Sequence, residues 1–313
     1  MRNIFSLAAI ALSVGLLSTS CLNDDPEYSQ EINLNYSGEA CFNRVTDLET
    51  GETLVSGNPS YLMKFLTEGT KSSMIMEMSN IQLTTGFSGL AFKLPELAYT
   101  YNQETGYFVS TGKDIVPLNA GSSYSFDNFT LRFLPTRMIN GANCPIYLID
   151  YTVNKQYQVT VIPATPVFFA ISTAHPVNGG NDFVHKDPDT YVAFKIDPQK
   201  MLGSISMGNT RLGDDMLQNT LIIKDLPVTI EGNTVRMTAP SDEPVVIYGT
   251  NNKPFNKSTV SDLAVRFDIS SGAGSISGEF LIDDATGTGP DYEPQTYVTV
   301  VDLNYFYATD DKN

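Results

Sequence analysis

The chain has 313 residues, 42% of them hydrophobic and only 17% charged, which is the composition of a globular protein with a real core and room for two domains. Its 35 acidic residues outnumber 19 basic ones, giving a formal charge of −16 with no Lys/Arg cluster to offset it. Such a surface repels phosphates, which excludes nucleic acid as a partner.

The first twenty residues read as an export signal. Arg2 gives a short positive start, Ile4 to Leu17 is mostly apolar, and Ser18-Thr19-Ser20 supplies small residues before Cys21. The apolar run is too short for a stable spanning helix. The segment resembles a lipobox, with its large apolar residue, Leu17, four places before the cysteine instead of three. That resemblance implies cleavage before Cys21 and lipidation of its thiol. Leu22-Asn23-Asp24-Asp25-Pro26 is similar to the acidic tag of Bacteroidota lipoproteins that are flipped to the cell surface. The expectation is a lipid-anchored outer-membrane protein, at the cell surface or facing the periplasm. Residues 21–31, polar and acidic, then read as a tether.

From Ile32 onward, short alternating or β-branched runs recur between turn residues, and no stretch keeps a helical period over three turns. The Met74, Met76, Met78 face is one such run and Tyr157 to Ile162 another. The runs also repeat. Tyr61-Leu62-Met63-Lys64-Phe65 returns as Tyr191-Val192-Ala193-Phe194-Lys195, and Met76 to Asn80 returns as Ile205 to Asn209. Leu131-Arg132-Phe133 matches Val265-Arg266-Phe267, Tyr147 to Asp150 matches Phe280 to Asp283, and Tyr157 matches Tyr297. The order is kept, which predicts an internal duplication. The prolines in Ile162-Pro163-Ala164-Thr165-Pro166 break a strand and set the boundary, giving copy one over 32–163 and copy two over 164–313. The fold expected is all-β: two tandem homologous antiparallel domains of about 130 residues each, barrel or sandwich. The pattern resembles the calycin-like, lipocalin-like domains of Bacteroidota surface lipoproteins, without the tryptophan lipocalins place at the barrel base.

Few residues offer chemistry. Cys41 and Cys144 remain after the anchor cysteine. Outside the cytoplasm they are candidate disulfide partners, closing a loop of about a hundred residues for ~4 to 5 kcal/mol, or else two free thiols. His175 and His185, with Asp182, Asp187 and Asp189, flank a hairpin turn at 178–181 but match no zinc spacing. Asp283, Asp284, Asp291 and Glu293 crowd a late insertion, from Asp283 to Tyr297, that is about seven residues longer than its counterpart from Asp150 to Tyr157. Carboxylates in a flexible loop suit calcium, although the alternate-residue pattern of an EF-hand is missing. An exposed acidic hairpin tip is the plainer reading.

No serine elbow, Walker loop or dinucleotide-binding glycine pattern occurs, and no cofactor is implied. The reading is a non-enzymatic binding protein, held to the membrane by its lipid, with an unknown ligand (an apolar small molecule or a glycan) or a protein partner. The Met stripe and Tyr305-Phe306-Tyr307 are candidates for an apolar pocket, with a shared core face as the simpler account. The alternative is a structural or adhesive subunit such as a fimbria-associated protein. It requires a donor strand, for which Tyr297 to Tyr307 is the natural segment.

Overall fold

A computed structural model describes residues 29–68, 71–86, 88–213, 216, 219–239, 243–283 and 294–307. The protein is all-β and forms two barrel-like domains. Copy one contains β1 (Ser29–Ser37), β2 (Cys41–Asp47), β3 (Thr53–Gly57), β4 (Ser60–Glu68), β5 (Lys71–Ile81), β6 (Leu90–Lys93), β7 (Leu97–Tyr101) and β8 (Phe108–Ile115). It continues through β9 (Phe126–Leu134), a small arm of β10 (Met138–Ile139) and β11 (Ala142–Asn143), then β12 (Ile146–Val153) and β13 (Tyr157–Pro163). Copy two contains β14 (Val167–Pro176), β15 (Phe183–Asp197), β16 (Leu202–Thr210), β17 (Asn219–Glu231) and β18 (Thr234–Thr238). It ends with β19 (Val245–Tyr248), β20 (Pro254–Asp268), β21 (Ala273–Ile282) and β22 (Gln295–Asn304).

In copy two the ladder runs β14-β15-β16-β17-β18-β20-β21-β22 and returns to β14, so eight strands close on themselves, with β19 bridging β17 and β20. Closure removes exposed edges. Alternate residues point into the lumen, and Phe168, Ile205, Phe267 and Phe280, each fully buried, fill it. In copy one the sheet runs β1-β4-β5-β7-β8-β9-β12-β13-β2-β3 and curls so that the chain itself joins the ends: β1 leads into β2, and β3 into β4. A 3-10 turn, Gly38–Ala40, interrupts the first pair and Asn58-Pro59 the second. The two interruptions face each other, with Gly38 N–H donating to the Pro59 carbonyl at 3.3 Å.

Copy two carries the same seam as a bulge. The β14–β15 register jumps from Phe169 opposite Tyr191 to Ile171 opposite Lys186. Each seam is held by an asparagine in the left-handed region. Asn80 (φ 56°) donates its amide to the Asn58 carbonyl at 2.7 Å, and Asn209 (φ 54°) donates to the Asp189 carbonyl at 2.9 Å. Asparagine tolerates this conformation better than most residues, which suits it to the post. The repeat is thus visible in a local device as well as in the strand order.

The ladders correct three expectations. Strand β1 begins at Ser29, inside the segment read as tether, because strand pairing is a backbone property: Ser29 to Glu31 pair with Glu68 to Leu66 whatever their polarity. Secondly, Met63 lies opposite Met76 and Phe194 opposite Ile205, so Tyr61 corresponds to Val192 and not to Tyr191. A one-residue slip turns every side chain to the other face, which is why the lysine and phenylalanine looked transposed. Thirdly, Phe280 pairs with Tyr297 as Val153 pairs with Tyr157, not as Tyr147 does. Three residues separate the first-copy pair and sixteen the second, so the insertion is thirteen residues, larger than the sequence match suggested.

The domains share a continuous apolar cluster. Phe42, Leu134, Ile146, Leu148 and Ile162, on the outer face of barrel one, join the core of copy two. Met74, Met76 and Met78 belong to the separate interior of barrel one, as a core face should.

Candidate functional site

The sheet face that meets copy two at one end becomes polar along its length. Cross-strand register places Thr111, Thr130, Asp150, Thr160 and Arg44 in one row over β8, β9, β12, β13 and β2. The next row outward is Lys113, Asn128, Thr152, Gln158 and Thr46, continued by Thr53 on β3. A period of two explains the array, since the residues between them, such as Phe129, Leu131, Tyr151 and Val159, fill the lumen. Thr111, Gly112, Lys113, Asn128, Phe129 and Thr130 line a depression of about 500 Å³.

At the domain junction the row is partly buried. Burial pushes the Asp150 carboxyl above the usual carboxylate range, opposed by its hydrogen bond with Thr160 and by the Arg132 charge. Arg132 in turn reaches the Ser270 carbonyl of copy two at 3.3 Å. The array therefore offers hydroxyls, the amides of Asn128 and Gln158, the Lys113 ammonium and the Arg44 guanidinium, with the Asp150 carboxylate withdrawn by burial.

The residues singled out from the sequence are dispersed. His175 is exposed, with Nδ1 2.7 Å from Asp182 Oδ1. His185 faces inward, its Nε2 3.0 Å from both the Asn209 carbonyl and Thr190 Oγ1. Ser172, not His175, sits opposite His185, and the odd offset puts the imidazoles on opposite faces. The hairpin therefore does not assemble them into one site. Cys41 and Cys144 are free thiols. Burial pushes the Cys41 thiol up to about 12 and raises that of Cys144, so both are protonated near neutrality.

Of the acidic insertion, Asp284, Asp291 and Glu293 lie outside the described residues, as does Cys21. Asp283 is committed to the hairpin. Its carboxylate accepts from Lys257 N–H at 3.2 Å, its carbonyl from the Asn256 amide at 2.7 Å, and its own N–H donates to Ser258 Oγ at 2.8 Å. Among the described residues no group of three or more His, Cys, Asp or Glu side chains is placed to hold a metal ion. Calorimetric titration with calcium is expected to show no site tighter than about 10⁻⁴ M. A micromolar site would overturn the reading of this loop as an acidic hairpin tip.

Sequence reasoning missed the polar rows because each contributes only one residue per strand, and it missed Arg137. This side chain, only 7% exposed, donates from Nε to the Cys144 carbonyl at 2.9 Å. From its two terminal nitrogens it donates to the Tyr305 carbonyl at 3.0 Å and the Val167 carbonyl at 2.7 Å, tying copy one to both ends of copy two. The one available signal was Asn140-Gly141, both at positive φ, which turns the β10–β11 arm that follows Arg137.

These features define a two-barrel all-β protein with a polar outer face and a filled lumen. Comparison with protein-family models, with curated proteins and with solved structures gives no match.

Proposed function

We propose that this chain is a lipid-anchored outer-membrane binding protein that takes a polyhydroxylated, glycan-type ligand on the outer face of its first barrel. The observation that supports this reading is the in-register array of Thr111, Thr130, Lys113 and Asn128 lining the 500 Å³ depression, extended over β12 and β13 by Thr152 and Gln158. Hydroxyl and amide groups at strand spacing offer paired donors and acceptors, which is what sugar hydroxyls require. An apolar ligand in the lumen of barrel two is disfavoured, because Phe168, Phe267 and Phe280 already fill it and Leu212 and Met216 are buried with the same cluster. The structural-subunit alternative loses its donor segment, since β22 pairs with β14 and β21 of its own domain.

A glycan array probed with the soluble Cys21→Ser protein tests the ligand class. Lys113→Ala and Asn128→Ala are each expected to weaken the selected glycan about tenfold, the equivalent of one lost hydrogen bond. Unchanged binding in both variants would remove the site from this face. Metabolic lipid labelling tests the anchor separately: label that survives Cys21→Ser would sink it, and protease shaving of intact cells reads which face of the membrane displays the protein.

A further inference from the structure

The duplicated fold supplies its own control for a buried position. On the inward face of barrel two, Ser172 sits opposite His185, and in barrel one the same ladder places Asn43 opposite Ser56. The correspondence follows from the neighbouring strand, where Ser172 faces Val301 and Asn43 faces Val161.

In barrel two both polar groups are satisfied by protein. Ser172 Oγ donates to the Arg211 carbonyl at 3.2 Å, and His185 Nε2 lies 3.0 Å from the Asn209 carbonyl. In barrel one, Asn43 Nδ2 and Ser56 Oγ are both buried, at 0% and 4% exposure, and neither has a protein partner. The reason is reach. A serine hydroxyl stops well short of where the histidine ring ends, so Ser56 has no route to the carbonyl of Asn80, the counterpart of Asn209. Tyr61 stands in the place of Val192, and its hydroxyl donates to Asn43 Oδ1 at 2.8 Å. That bond fixes the amide and leaves the N–H groups of Nδ2 for another acceptor. The Tyr151 hydroxyl, 3.1 Å from that of Tyr61, extends this buried polar group inside barrel one.

We infer that Asn43 and Ser56 form an internal binding site for a single ordered water molecule, which accepts from Asn43 Nδ2 and bonds Ser56 Oγ. A buried amide left without a partner carries the full cost of its desolvation, and internal waters are the usual remedy where two or more polar groups converge. Water is the guest because the site offers a donor and a hydroxyl, both buried, which a molecule able to accept and to donate satisfies together.

Two measurements on the mature protein test this. A crystal structure at high resolution should show one compact density peak within hydrogen-bond distance of both atoms. A direct Asn43–Ser56 bond without such a peak, or density too large for one water, would overturn the assignment. Ser56→Ala gives an independent sign. If the hydroxyl holds a water, its removal is expected to lower the melting temperature by about 2–4 °C. If the hydroxyl is simply unsatisfied, its removal raises the melting temperature, and the site does not exist.

Discussion

Arg137→Ala is expected to cost about 3–5 kcal/mol and to split one unfolding transition into two. The guanidinium lies in a buried seam, donates to carbonyls of Cys144, Val167 and Tyr305, and covers the Tyr305 ring at 5.1 Å. Three carbonyls would lose a charged donor at once, in a seam where the side chain is only 7% exposed. Two of the three belong to the first and last described stretches of copy two, so the loss falls on the union of the barrels and not on the core of either. Arg137→Lys keeps the charge but not the planar fork, and a lysine ammonium cannot span three divergent carbonyls from one stem. It is expected to recover less than half of the lost stability. Scanning calorimetry reads both effects, and a single transition with unchanged midpoint in the alanine variant would show that the shared apolar cluster of Phe42, Leu148 and Ile162 joins the domains unaided.

The strands were legible in the sequence because their period of two is set by burial on one face, as in Met74, Met76 and Met78. The duplication was legible for the same reason, since two copies of one ladder must repeat its apolar positions. Register was less so. Tyr61 and Tyr191 look alike as letters, yet one is wholly buried and the other only partly, because only the partner strand decides which way a residue points. The Tyr147 and Phe280 match failed similarly: both motifs are apolar runs ending in aspartate, and a strand accepts such a run at several offsets. Neither the polar rows nor the Arg137 tie leaves a linear trace, since their members are separated by whole strands. The Asn80 and Asn209 pair stood within a recognised repeat, but its meaning required the positive φ that the structure supplies.

Raising the pH above about 10 is expected to unfold the protein cooperatively, because tyrosines in both domains are buried as neutral phenols. Burial is the leading cause of a raised pKa at Tyr36, Tyr61, Tyr147, Tyr151 and Tyr305, and it carries Tyr147 to about 12. A phenol whose folded pKa lies above its unfolded value near 10 contributes stability that is fully present below pH 10 and is lost as pH rises through the folded value. For Tyr147, 7% exposed, the two-unit rise is worth on the order of 2–3 kcal/mol, and the other four act in the same direction. Cys41, raised to about 12 by the same burial, begins its loss lower, near pH 9. Absorbance of tyrosinate near 295 nm, followed with circular dichroism, should therefore show exposed tyrosines ionising around pH 10 while the β signal persists, then a steep second step coincident with its collapse. Tyr36→Phe sharpens the test: it removes a buried hydroxyl that has no protein partner, so the collapse is expected at higher pH than in the parent. Smooth titration of all 16 tyrosines near pH 10 with the β signal intact would mean that the phenols of both barrels are open to solvent.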